Sequence, residues 1–219
     1  MDRIIDTQLE DLKKLTLEMG GLVEKALSTT TNGLLKRELN SLKQVHTIEE
    51  SINSLQIKID EACLQVLAKQ GPVASDLRLI LSIIKINNDL ERMGDQCVNI
   101  AHLSRELIER GFSNSLADIE LMFQSTGEMV KASLDSFVAS DVESARKVLG
   151  MDDVVDNYKK KINENSVQLM KGDLAHLQDH LDFILIARNL ERLGDHATNI
   201  AEDVIFACSG KDVRHGSTN

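Results

Sequence analysis

The sequence predicts an all-helical protein built as two tandem three-helix bundles, the second a copy of the first. Three observations carry that expectation. Aromatic residues make up only 3% of the 219, with one proline and no tryptophan, whereas sheet proteins draw on aromatic and β-branched residues and on frequent turns. Apolar residues recur at steps of three and four along most of the chain, the period of one buried helix face. And "DLERMGDQCVNIAHLS" at 89–104 returns a hundred positions later as "NLERLGDHATNIAEDV" at 189–204.

The elements follow in order. Ile5, Leu9, Leu12, Leu15, Met19, Leu22, Ala26 and Leu27 mark the face of a first helix. Within it, Gly20-Gly21 either lets another helix approach or bends this one. A second helix over about 40–69 repeats the pattern from Leu42 to Leu67. "QGPVASD" breaks it: Gly71 suits a helix C-terminus and Pro72 the first turn of the next helix. A third helix runs from about 73 to 110. "RGFSNSLAD", 110–118, is a turn cluster at mid-chain. Three further helices are expected over 116–138, 141–171 and 174–208. The boundary between units is expected at 111/112, giving bundles over 1–111 and 112–219. The tail "GKDVRHGSTN" has no apolar period and is expected to fray. Between 90–101 and 190–201 eight of twelve residues are identical, which unrelated amphipathic helices do not show, because they share pattern and not residues.

Charge narrows the function classes. Lys and Arg number 25 against 35 Asp and Glu, for a formal charge of −10. That argues against nucleic acid and against a polybasic attachment to anionic lipid. Cys63, Cys97 and Cys208 are odd in number, lack a C-x-x-C pair and occupy apolar-looking positions, so they read as core residues of a reducing, cytoplasmic compartment. The start, "MDRIIDTQLEDLKKL", is amphipathic and charged, unlike a signal peptide. No apolar run is long enough for a membrane span.

The repeated stretch carries the chemistry. On a helical wheel, Ile83, Ile86, Leu90, Met93, Cys97 and Ile100 share one side, while Glu91, Asp95 and Asn99 turn away from it. Glu191, Asp195, Asn199 and Asp203 form the same i, i+4 ladder in the second copy. Like charges one turn apart repel by a few tenths of a kcal/mol. Arg92 and Arg192 stand beside their glutamates in sequence and not one turn away. Two readings of the ladder remain, a solvated face and a cation site. Two carboxylates and an amide oxygen at this spacing can share a metal if a neighbouring helix adds ligands. The preceding helices offer Asp152 with Asp156 and, in the first half, Glu49 with Asn53. Such oxygen donors suit iron, manganese, magnesium or calcium, with zinc the less natural occupant. Gly94 and Gly194, each costing about 1 kcal/mol inside a helix, suggest close approach of a neighbouring helix beside the acids. His196, replaced by Gln96 in the other copy, reads as a surface or accessory residue. His176 and His180 read as capping or surface residues.

Catalytic signatures do not appear. The sequence has no phosphate-binding or dinucleotide glycine loop, no nucleophile elbow and no E-x-x-H of the di-iron bundle enzymes. The competing function classes are therefore a non-enzymatic adaptor, a metal-dependent phosphohydrolase, and a metal-binding helical scaffold.

The doubled LER-x-GD signature, with "GPVASDLR" ahead of the first copy and Gly210, Arg214 and His215 in the tail, resembles the PhoU family of phosphate-signalling regulators over the whole chain. The resemblance implies a cytoplasmic negative regulator of the phosphate-starvation response, recruited to the inner face of the membrane through partners. Those partners would be the ATPase subunit of a phosphate ABC transporter and a sensor histidine kinase, with a homodimer in keeping with the family. It also implies multinuclear iron clusters on E/D-x-x-x-D motifs, which carry over to Glu91 with Asp95, Glu191 with Asp195, and Asp152 with Asp156. Glu49 departs from the pattern, being followed by Asn53 instead of an acid.

Overall fold

The computed structural model describes residues 4–113 and 115–214. The tail residue His215 and the first three residues, which belong to the readings above, lie outside them. Among the described residues every regular element is helical: α1 (Ile4–Leu35), α2 (Leu39–Gln70), α3 (Ala74–Arg110), α4 (Ala117–Ala139), α5 (Val142–Leu149), α6 (Asp152–Met170) and α7 (Leu177–Ser209), with one 3₁₀ turn at Leu174–His176. Gly71 ends α2 in the left-handed conformation, φ 55°, which glycine adopts without steric cost. Pro72 falls just before α3 and not within its first turn.

One predicted element is divided. The helix expected over 141–171 breaks into α5 and α6 at Gly150-Met151. Asp141 caps α5 through its carboxylate, which accepts from the Glu143 backbone N–H. The last turn then tightens, Gly150 bonding back to Lys147 and Met151 to Val148. The break gives α6 its own N-terminus, with Asp152 and Asp153 in the first turn, where the helix dipole favours negative charge.

The helices form two layers. α3 and α7 lie antiparallel at the centre, for as the α3 numbers rise their α7 partners fall: Ser82 bonds the Asp203 carbonyl, Asp89 meets His196, and Arg110 meets Asp179. On its other flank α3 meets α2, where Asn87 donates to the Gln56 carbonyl and to Asp60. α6 flanks α7 in the same way, with Lys159 on Glu191. The front layer is thus the row α2–α3–α7–α6. Behind it α1 packs on α3 and α4 on α7, covering the buried Ile83, Ile86, Leu90, Ile186, Leu190 and Leu193.

An approximate two-fold axis between α3 and α7, perpendicular to the layers, relates the halves. The back layer carries its clearest mark. A Cβ on Gly20 of α1 would come within 2.8 Å of Leu134 on α4, and Gly127 of α4 faces Leu27 of α1 at 3.9 Å. The glycine pair in the first helix is therefore a close-approach device at Gly20, while Gly21 faces open space.

Ion pairs fix the central contact. The Arg110 guanidinium at the end of α3 reaches both Asp179, at 2.9 Å, and Asp182 at the start of α7. Both carboxylates are buried, Asp182 almost wholly. Lys85 pairs with buried Asp203 at 3.0 Å. Asp203 therefore leaves the predicted acid ladder and turns toward α3. His180 also departs from its expected surface role; it is buried beside Phe183. Cys63 and Cys97 are core residues, and burial pushes both thiols up to about 12. Cys208 is exposed instead, with its thiol on the Ser140 carbonyl.

Removing Arg110 would strand two buried carboxylates without their cation, and broken buried pairs are strongly destabilising. Arg110→Ala is expected to cost roughly 2–4 kcal/mol in urea unfolding. Arg110→Lys keeps the charge but loses the two-pronged reach, and should fall between.

Candidate functional site

The face of α3 turned away from its three neighbours is an open strip. Leu77, Leu81, Ile84, Asn88, Glu91, Asp95 and Asn99 follow one another along it at helical spacing. Its acids stand in a shallow seam with α2, and the corresponding acids of α7 stand in a seam with α6. Because the two-fold axis is perpendicular to the layer, both seams open on the same molecular face.

The glycines set the level of each seam. A Cβ on Gly94 would sit 3.1 Å from Ile52 and 3.9 Å from the Glu49 side chain of α2. A Cβ on Gly194 would sit 3.5 Å from Val155 and 3.8 Å from the Asp152 carboxylate of α6. The expected close approach is present in both copies, and it is tighter in the first.

The first seam gathers Glu49 and Asn53 from α2 with Glu91 and Asp95 from α3. The Asn53 amide donates to Glu49. Arg92 spans the pair on its own helix, 3.4 Å from Glu91 and 3.5 Å from Asp95. Adjacency in sequence therefore did not keep this arginine from both acids, because its long stem turns along the helix. Partial burial raises the Glu91 carboxyl above its ordinary range, with help from the nearby Asp95 charge. Asn99 is exposed one turn further on.

The second seam gathers Asp152 and Asp156 from α6 with Glu191 and Asp195 from α7. Partial burial raises Asp195, and the charges of Glu191, Asp152 and Asp156 raise it further. Asp152 is raised likewise, by burial first and then by Asp156. Lys159 answers part of this charge, its ammonium 2.6 Å from Glu191. Arg192, the counterpart of Arg92, is exposed. Asn199 is drawn out of the ladder, donating to Asp89 of α3 at 3.0 Å. The glutamates of the seams are largely covered, the Glu91 and Glu191 side chains being only 18% and 19% exposed, while Asp156 and Asp195 are exposed.

Sequence reasoning missed two participants, Asp89 and Lys159, and gave His196 only a surface or accessory role. Asp89 precedes the repeated motif and has Asn189 as its counterpart, so comparison of the copies gave no sign of it. It nevertheless accepts from Asn199 and meets His196 Nδ1 at 2.7 Å. His196 is thus a half-buried bridge between the halves, lying near Glu91 and Asp195 together. Lys159 was hidden because its partner is on another helix.

The donor chemistry suits a hard cation, which would offset the burial and the repulsion that raise Glu91, Asp152 and Asp195. Glu49, Glu91 and Asp95 could hold such an ion in one seam, and Asp152, Asp156, Glu191 and Asp195 in the other. Among the described residues, however, no three His, Cys, Asp or Glu side chains already close on one point. An ion would have to draw the carboxylates together and displace Lys159 from Glu191.

Fold and site together define a class: a duplicated helical scaffold that presents paired acidic seams on one face. The PhoU domain family model matches it twice, over residues 16–104 and 119–204. Over 211 residues the chain is 39% identical to the phosphate-specific transport system accessory protein PhoU homolog of Pseudomonas aeruginosa, covering 96% of this chain and 87% of that protein. It is 30% identical over 210 residues to the accessory protein PhoU of Escherichia coli strain K12, covering 96% and 87%. Among solved structures, PhoU from Pseudomonas aeruginosa superposes with a TM-score of 0.91 at 38% identity, over 94% of this chain and 99% of that one. The phosphate transport system regulatory protein PhoU from Streptococcus pneumoniae gives 0.89 at 26% identity, over 95% and 99%. The chain belongs to the PhoU family.

The raised carboxyls set the pH response. A carboxyl raised in the folded state binds its proton more tightly there than in the unfolded chain, so stability falls as pH rises from 3.8 through the raised values of Asp152 and Asp195. Asp195→Asn removes one charge from the repelling set. It is expected to raise the melting temperature at pH 7, with the gain shrinking toward pH 3.8.

Proposed function

We propose that this protein is a non-enzymatic negative regulator of phosphate uptake and of the phosphate-starvation response. It would act as an adaptor between the ATPase subunit of a phosphate ABC transporter and the sensor histidine kinase of the phosphate two-component system. The observation that supports this most is the twice-matched family, whose relatives are named accessory proteins of phosphate-specific transport. The open seams also lack the water-excluding pocket that ester hydrolysis favours. No helix among the described residues is long and apolar enough to cross a membrane, so attachment to the inner face would run through the partners. A homodimer fits this reading.

Deletion of the gene tests it directly. Alkaline phosphatase expression and phosphate uptake should both rise in phosphate-rich medium. Unchanged levels of both would defeat the adaptor reading, and phosphate-ester turnover by the pure protein with manganese, lost in Asp195→Ala, would favour a hydrolase instead.

The seams would hold iron, manganese, zinc or magnesium in this scheme, with their own acids as ligands. Elemental analysis of protein isolated without chelators should then find a transition or divalent metal above trace. The double change Glu191→Ala with Asp195→Ala should lower that content by about half or more while leaving the helical circular dichroism intact. Metal content unaffected by the double change would remove the second seam as its site.

A further inference from the structure

The acids occupy only the middle of the open face. Toward the N-terminal end of α3 the same outward strip turns apolar, and it does so in both copies. Leu77 and Leu81 are 39% and 41% exposed; their counterparts Leu177 and Leu181 are 37% and 38% exposed. Ile84 and Ile184 continue the rows, half-buried. The flanking helices add one residue each, Leu64 of α2 and Val167 of α6, exposed by 63% and 47%. These two hold equivalent places, both three residues further apart than the α3–α7 offset, as Glu49 and Asp152 also are.

Identity at these positions is not explained by packing. In the core, Met93 has become Leu193 and Cys97 has become Ala197, while the outward Leu77, Leu81 and Ile84 recur unchanged as Leu177, Leu181 and Ile184. Exposed leucine gains nothing from solvent, and contiguous exposed apolar rows rimmed by charge mark contact surfaces. Each half therefore presents an apolar row followed, ten residues or about 15 Å along the helix, by an acidic seam. The two-fold axis runs the two strips in opposite directions on one face.

We propose that this face is a two-site docking surface, each half accepting a basic amphipathic helix of a partner protein. The apolar end of that helix would lie on the leucine row and its Lys or Arg end on the acid seam. Charge complementarity selects this occupant. The seams are acidic, as is the whole chain at −10, so an anionic lipid surface would be repelled and a second copy of this face would set acid against acid. A helix of about 20 residues, roughly 30 Å long, spans row and seam together. The inference rests on the adaptor reading only in taking the occupant to be protein. Peptide binding tests the face, whereas the gene deletion tests the pathway, so the two can fail separately.

The test uses the full chain and a fluorescein-labelled 20-residue helical peptide of Leu, Ala and Lys. Its leucines stand at i, i+3 and i+4 in one half, and its lysines occupy the other. Anisotropy titration should show two sites, the one on the second half the tighter because its seam carries more unanswered negative charge. Leu77→Gln with Leu81→Gln should leave one site, and adding Leu177→Gln with Leu181→Gln should weaken binding at least tenfold. Glu91→Gln with Glu191→Gln, which leaves the rows intact, should reduce both affinity and its salt dependence. A peptide with alanine in place of leucine should bind at least tenfold more weakly. The proposal is overturned by a single site, by binding indifferent to the fourfold change, or by wild-type association with phosphatidylglycerol vesicles. Conversion of a dimer to monomer by the fourfold change, read by sedimentation, would equally overturn it in favour of a second copy.

Discussion

The antiparallel contact of α3 with α7 is the constraint on which the rest of the molecule depends. It joins the two halves through buried charge and not through apolar packing alone. Arg110 sits on Asp179 and Asp182 at one end, and Lys85 on Asp203 along the same seam. Buried ion pairs return little net stability, because desolvation offsets attraction, but breaking one strands a charge. Their effect here is to fix register. A one-turn slide of α7 along α3 would part Arg110 from both aspartates and Lys85 from Asp203 at once. The register in turn sets which faces of α3 and α7 remain open.

Once that register is fixed, the acids follow. The α7 flank, the α2 flank and the α1 back take up three sides of α3, and the fourth carries Glu91 and Asp95. The same holds for α7 between α3, α6 and α4. Two acid seams then share one face, joined across the axis by His196 and Asn199 on Asp89. Partial burial first, and mutual repulsion after it, raise Glu91, Asp152 and Asp195. A protein selected for stability alone would replace one acid of each pair with lysine, as i, i+4 pairing favours. Keeping them is a local conflict of the kind found at functional sites.

Much of this was legible in the chain. Six helical segments follow closely from apolar periodicity, and the duplication from identity at an offset of 100. The outward turn of Glu91 and Asp95 follows from the wheel, and the glycine contacts from the cost of Gly94 and Gly194 within a helix. The division at Gly150 was not legible, because the apolar period runs on through it; only tight turns at Lys147 and Val148 reveal the break. Asp203 was misread because a wheel shows one helix and α3 was its unseen partner. His180 was misread for the same reason, and so was the pairing of Arg92 with both acids, which depends on side-chain reach instead of spacing. What a single helix dictates can be read from the sequence; what a second helix contributes needs the register.

The two seams have diverged in charge while keeping their geometry. The first sets Glu49, Glu91 and Asp95 against Arg92, with the neutral Asn53 tied to Glu49. The second sets Asp152, Asp156, Glu191 and Asp195 against Lys159. Arg92 bridges two acids of its own helix, so its charge is spread along the seam. Lys159 sits 2.6 Å from Glu191 and feels Asp156 and Asp195 as well, while Asp152, half-buried, and Asp156 and Asp195, both exposed, repel one another. The copies therefore differ in how much negative charge they leave unanswered, and the second leaves more. That difference arose at exposed or half-exposed positions, where substitution costs the fold little. The apolar contacts that set helix spacing, Ile52 on Gly94 and Val155 on Gly194, survived in kind. Duplication thus supplied two equivalent platforms, and their electrostatics were free to separate because the register beneath them was held by other charges.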